Sequence, residues 1–252
     1  MQNVSGNLKA TSTITMTDKE KSTIQEHLST LYLRLNGYFT TGYIIHSDEK
    51  KIEGELDILA VRFPLHSQDD TEHNSSKYLE VPFNIDIIIA EVKSKGQSLQ
   101  FNDCLKQQET LEPLEKLLLW TGILNVEKVY EVAIELNELI QPKENSQLIV
   151  LRSTKVIETS FGKLTIRPVL FSPERATNNN ADKFINWTEL NDFIWLCLCP
   201  AEDRQFCGTR YDFTAWGQGL NEIVKAYKSR QKKQNKFVTI EDLYTDININ
   251  KK

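Results

Sequence analysis

Three residues of this chain have types and spacings suited to chemistry on a phosphate. Asp57 closes the run Gly54-Glu55-Leu56-Asp57. Glu91 and Lys93 close the run Ile85-Asp86-Ile87-Ile88-Ile89-Ala90-Glu91-Val92-Lys93. Both runs are short, rich in β-branched residues and bounded by Gly, Pro and polar clusters, so both read as strands. Alternate residues of a strand share a face. Ile87, Ile89, Glu91 and Lys93 therefore form one row, apolar at first and ending in a carboxylate and an ammonium. Glu55, Asp57, Leu59 and Val61 share a face of the other strand. Antiparallel pairing of the two strands would bring Asp57 beside Glu91.

Charges at the end of a hydrophobic strand are expensive unless they are paired or bind a metal. Two converging carboxylates are hard oxygen donors suited to Mg2+ or Mn2+. A lysine beside them can orient or deprotonate a water, or stabilise charge developing on a phosphate. Glu-x-Lys alone is a common tripeptide whose simplest meaning is a surface salt bridge. Here an apolar run precedes it, with a Gly-x-x-Asp strand upstream and an amphipathic helix before that, and this context favours the metal site.

The elements that must position these residues are also legible. Thr17-Asp18-Lys19-Glu20 is a capping box, and the helix it starts is expected to run to Asn36 and stop at Gly37. Ile24, Leu28, Leu31 and Leu35 recur at helical spacing as its buried stripe, with Glu26 next to them. Gly37 to His46 reads as a first strand. Helix, strand, strand with Asp57, then strand with Glu91-Val92-Lys93 resembles the PD-(D/E)XK nuclease superfamily over about residues 17–96. The chain departs from that pattern in having Leu56, not Pro, before the aspartate, a position that tolerates substitution in the superfamily.

The resemblance implies an α/β fold: a restriction-endonuclease-like core whose central mixed β-sheet is flanked by helices. It implies Mg2+-dependent cleavage of phosphodiester bonds, with Mn2+ as a substitute and DNA as the usual substrate. Asp57 and Glu91 would hold the metal with the carbonyl of Val92, and Lys93 would position the nucleophilic water. A first-helix glutamate often reaches such sites, which makes Glu26 a candidate; it reads equally well as a solvated helix carboxylate. Lys95, beside the Gly96 turn, is a candidate phosphate contact. Helper residues often lie on the following helix, where Gln107, Lys106 and Gln108 are candidates. The Gln-x(3)-Tyr pattern of some members is absent.

The chain has 252 residues, 40% of them apolar, enough for one large domain with an extension. The expected division is a polar arm over 1–16, a nuclease-like core over 17–175 and a helical extension over 183–252. No run approaches the ~20 apolar residues of a membrane span, and the first residues lack a secretory pattern, so the expectation is a cytoplasmic protein. A net charge of −5 argues against a general nucleic-acid binder. It suits a nuclease whose substrate is delivered by a partner, such as an ATPase or sensor in a prokaryotic defence or mobile-element system. A homodimeric restriction endonuclease, or a non-catalytic assembly subunit keeping the fold, are the alternatives.

The segment from Pro64 to Pro82 reads as a loop carrying His66 and His73. Pro113 should kink or restart a helix running from Asn102 to Trp120. Val126 to Leu139 reads as an amphipathic helix, and Ser146–Ser153 and Leu164–Phe171 as further strands. Helices are expected from Thr188 and over Asp212–Arg230, with a loosely docked tail after Thr239. Cys197, Cys199 and Cys207 lack the usual zinc spacing and read as reduced core thiols. Lys225, Lys228, Arg230, Lys232, Lys233 and Lys236 form the one strong basic cluster. A nucleic acid, an acidic partner or a solvated helix terminus would each account for it.

Overall fold

In the computed structural model, residues 16–46, 51–66, 76, 78–79, 83–106, 110–141, 155–175, 183–200 and 216–250 are described. Helix α1 (Asp18–Leu35) begins as its sequence dictates. The Thr17 hydroxyl accepts from the Glu20 N–H, and the Glu20 carboxylate accepts from the Thr17 N–H. Asn36 ends it, and Gly37 follows at φ 86°, a left-handed conformation that glycine adopts without strain. Strands β1 (Phe39–His46), β2 (Ile52–Arg62) and β3 (Ile85–Val92) come next. After a single 3-10 turn at Asp103–Leu105 come α2 (Glu112–Thr121), with Pro113 in its first turn, and α3 (Val126–Ile140). Pro113 lies in the first turn of α2, where its missing N–H costs nothing, and of the helix expected from Asn102 only the 3-10 turn forms among the described residues before α2. The chain continues through β4 (Lys155–Thr159), β5 (Gly162–Ser172), β6 (Ile185–Asn186), α4 (Trp187–Leu198), α5 (Gln218–Lys232) and α6 (Ile240–Asn250).

The sheet is mixed, in the order β1-β2-β3-β5-β4, with β6 on β5. β2 pairs antiparallel with both β1 and β3, and β3 pairs parallel with β5. A parallel pair requires a crossover, and α2 and α3 lie in the stretch that makes it. Alternation along β3 divides the core. Ile85, Ile87 and Ile89 pack with α2 and α3, while Ile88 and Ala90 pack with α1, α4, α5 and α6. A strand buried on both faces is apolar throughout, which is why β3 reads as a continuous run.

Two further expectations need correction. The tail after Thr239 is not loosely docked: α6 buries Ile240, Leu243, Tyr244 and Ile247 in the core shared with α1. Residue 183 does not open a helix either. Ile185–Asn186 first adds a short parallel strand, and the Asn186 side chain then caps α4 by accepting from the Glu189 N–H. The strand expected over 146–153 and the start of the helix expected at Asp212 lie outside the described residues.

Candidate active site

β2 and β3 pair from Arg62↔Asp86 to Ile58↔Ala90. Continued by one position, this register sets Asp57 opposite Glu91, but the ladder stops there. The Asp57 carboxylate instead accepts the Val92 N–H at 2.7 Å. A bulge in β2 accompanies the change. Thr41 pairs with Leu59 and Tyr43 with Leu56, so Asp57 and Ile58 together stand against Gly42. Bulges of this kind re-aim a side chain and end pairing. Val92 carries its N–H and C=O on one edge of the strand, so its carbonyl also faces the β2 side, toward Asp57.

Lys93 follows directly on β3. Its N–H donates to the Phe171 carbonyl at 2.8 Å, and the Ser172 hydroxyl donates to the Lys93 carbonyl at 2.6 Å, which fixes its backbone to β5. The ammonium turns back into the buried site. It donates to Glu91 Oε2 at 2.8 Å and to Asn102 Oδ1 at 2.5 Å. Glu91 is fully buried, and its other oxygen, Oε1, has no hydrogen-bond partner. Burial, and next the negative charge of Asp57, push the Glu91 carboxyl up to about 7, against the pull of Lys93. The Asp57 carboxyl is also raised, by burial, with the Val92 N–H and Lys93 opposing the shift.

Glu26 of α1 belongs to the same electrostatic neighbourhood. Burial and then Asp57 raise its carboxyl, while the Ser22 hydroxyl, donating at 3.3 Å, opposes the shift. Glu26 comes near enough to feel the pair. Even so, among the described residues no three His, Cys, Asp or Glu side chains are grouped as a metal cage. The arrangement therefore offers two carboxylates and a backbone carbonyl, with Glu26 outside that set.

Lys95 is exposed on the turn after Lys93. Its backbone is held by Glu174, which accepts its N–H at 3.0 Å, and by Arg175, which donates to its carbonyl at 3.0 Å. Gln107, Gln108, His73 and Cys207 lie outside the described residues. Lys106 pairs with Asp103 at 2.8 Å. His66 packs on Gly37, where an added Cβ would lie 2.3 Å from its ring. Cys197 and Cys199 are buried in the core, and the Cys199 thiol donates to the Tyr227 carbonyl at 3.5 Å. Part of the basic cluster is committed within the chain: Arg230 pairs with Asp246, and Lys236 with Asp192.

Sequence reasoning missed Asn102 and Cys104. The turn that carries them packs on β2: Asn102 Nδ2 donates to the Glu55 carbonyl at 3.3 Å, and a Cβ on Gly54 would lie 2.4 Å from Cys104 Sγ. The only local signal was an Asn just before a short helical turn, which reads as a cap. No family model matches the chain, and neither a curated protein nor a solved structure does. No helix among the described residues is long and apolar enough to cross a membrane.

Proposed function

We propose that this protein is a metal-dependent nuclease that hydrolyses phosphodiester bonds, with DNA as its substrate. One observation carries the proposal: Glu91 keeps a buried oxygen with no partner where the β2–β3 ladder ends, next to Val92, whose N–H holds the Asp57 carboxylate. A buried, unsatisfied carboxylate oxygen costs free energy, and a divalent cation is the ligand that would relieve it. The donor set fits Mg2+, which takes one or two carboxylates and keeps several waters. Asp57, Glu91 and the Val92 carbonyl would hold it.

Mg2+ bound there would polarise the phosphoryl oxygen and make its water a stronger nucleophile. Asp57 keeps one oxygen on the Val92 N–H, which fixes the carboxylate plane. Lys93 uses two of its N–H donors on Glu91 and Asn102 and keeps one for a water or a phosphate oxygen. Its positive charge beside a developing negative one stabilises the transition state. The acidic chain lacks a general electrostatic attraction for DNA. Delivery by a partner protein, as in a defence system, follows as part of the proposal.

A non-catalytic assembly subunit is the competing reading. The Lys93–Glu91 ion pair favours it, because it balances the buried carboxylate without a metal. Cleavage of supercoiled, linear and single-stranded DNA and of RNA, in Mg2+, Mn2+ or EDTA, separates the two. Metal-dependent cleavage lost in Lys93→Ala supports the nuclease. No Mn2+ binding by calorimetry, with no cleavage in any arm, supports the subunit.

A further inference from the structure

We infer that Asn102 is a positioning residue for Lys93, the neutral anchor that keeps the ammonium in the site whether or not Glu91 is available to it. Asn102 stands at the N-cap of the Asp103–Leu105 turn, in the extended backbone conformation of a capping residue, yet its side chain makes no capping bond. The carbonyl end of its amide accepts from Lys93 Nζ at 2.5 Å, and the NH2 end donates to the Glu55 carbonyl at 3.3 Å. The two ends meet a pure donor and a pure acceptor, so only one orientation of the amide satisfies both. The side chain has given up its local role for a bond to Lys93.

The need for such an anchor follows from the charges. In this structure Lys93 is held by two groups, Glu91 and Asn102. This half of the inference rests on the metal-site reading: when Glu91 commits its oxygens to a divalent cation, Lys93 loses its ion-pair partner. A free ammonium on a flexible four-carbon stem then moves toward solvent. Asn102 carries no charge and its amide oxygen is already taken by Nζ, so it competes for the cation less than a carboxylate would and keeps Nζ near Glu91. Glu55 belongs to β2 two residues before Asp57, so the anchor is tied to the strand that carries the first carboxylate.

The test compares wild type with Asn102→Ala and Asn102→Asp in the full chain. The first readout is acetylation of Lys93 by acetic anhydride at fixed pH, quantified by mass spectrometry, with and without Mn2+. Asn102→Ala is expected to raise the Lys93 rate several-fold without metal, and further with Mn2+. Asn102→Asp keeps an acceptor oxygen and is expected to hold the metal-free rate near that of wild type, but to release Lys93 when Mn2+ draws its carboxylate to the cation. The second readout is cleavage. Removing a hydrogen bond to a charged group is expected to lower kcat by about ten- to a hundredfold in Asn102→Ala, with KM nearly unchanged. Equal Lys93 acetylation in wild type and Asn102→Ala in the metal-free arm overturns the inference. Wild-type failure to bind Mn2+ would remove the metal-site reading and leave the metal-free comparison to decide whether Asn102 positions Lys93. Circular dichroism checks that the variants fold; if Asn102→Ala does not, the near-isosteric Asn102→Leu, which also removes the acceptor to Lys93, takes its place with the same expected rise in rate, and a wild-type rate there overturns the inference.

Discussion

Replacing Glu91 with Gln separates the stability of the folded chain from the chemistry of its site. Burial, and then Asp57, raise the Glu91 carboxyl from 4.5 to about 7 in the folded chain. In the unfolded chain the same group ionises near its ordinary value. Between these values the folded chain holds a proton that the unfolded chain has released, so rising pH favours unfolding. The stabilising contribution is complete below about pH 4.5 and is lost as the pH climbs through about 7. That gap corresponds to about 3 kcal/mol, at about 1.4 kcal/mol per tenfold change in proton affinity. Asp57 and Glu26, both raised mainly by burial, add to the slope in the same direction. The assay is urea unfolding followed by circular dichroism from about pH 4.5 to about 8, with and without Mg2+. Wild type is expected to lose about 3 kcal/mol more than Glu91→Gln across that window. The variant also alters the Glu91 contact with Lys93, so the slope, not the absolute stability, is the readout. Mg2+ is expected to restore stability to wild type at the upper end, where its ligands are ionised, and to do so far less in Glu91→Gln. Identical slopes in the two proteins would refute the claim that Glu91 is a buried, proton-holding carboxyl.

Three further substitutions test the scaffold. Asp86→Ala leaves the Arg167 guanidinium buried without its carboxylate, now 2.7 Å away, and is expected to cost about 3–5 kcal/mol in urea unfolding. A cost below about 1 kcal/mol would show that water reaches the pair. Gly54→Ala drives a Cβ to 2.4 Å from Cys104 Sγ and is expected to destabilise by about 1–3 kcal/mol. The double variant with Cys104→Ala should recover much of that loss, and no recovery would place the strain elsewhere. Leu243→Ala, at a fully buried position of α6, is expected to cost about 2–5 kcal/mol. A change within about 0.5 kcal/mol would restore the view of this helix as loosely docked.

The parts legible in the sequence were those whose causes are local. The Thr17–Glu20 box and the stripe from Ile24 to Leu35 specify α1 within its own length, and the structure keeps both. The strand period holds where Leu59 pairs with Ile89 and Val61 with Ile87, while Asp57 lies beyond the last ladder pair, Ile58↔Ala90. Other features depend on partners distant in sequence. Ile240, Leu243, Tyr244 and Ile247 have helical spacing, but a helix so short is marginal alone and gains its stability by packing on α1 and α5. Asn102 reads as a cap until Lys93 is seen to turn back on it. The bulge that re-aims Asp57 leaves no mark in β2, because it comes from the register with β1. β4 was missed because it is a short edge strand with alternate residues exposed.

The two ends of β3 carry buried acids handled in opposite ways, and the contrast bears on function. Both oxygens of Asp86 are used: Arg167 Nε donates to Oδ1 at 3.2 Å and Nη2 to Oδ2 at 2.7 Å, and the Tyr38 hydroxyl also donates to Oδ2. Arg167 is occupied in turn by the Tyr78 carbonyl and the Tyr38 hydroxyl. A pair kept for structure closes its hydrogen bonds in this way, because any buried remainder costs free energy. Glu91, as deeply buried on the same strand, has a single partner group and an idle oxygen, with Asp57 repelling it from across the gap. If Glu91 were only structural, filling or neutralising that oxygen would be an easy gain. On the proposed metal-site reading, an open acceptor and a second carboxylate, beside a tethered ammonium, make the donor set a divalent cation would use. The two acids should therefore respond differently to Mg2+: the cation should protect wild type from unfolding through Glu91, and Asp86→Asn should leave that increment unchanged even as it lowers the baseline.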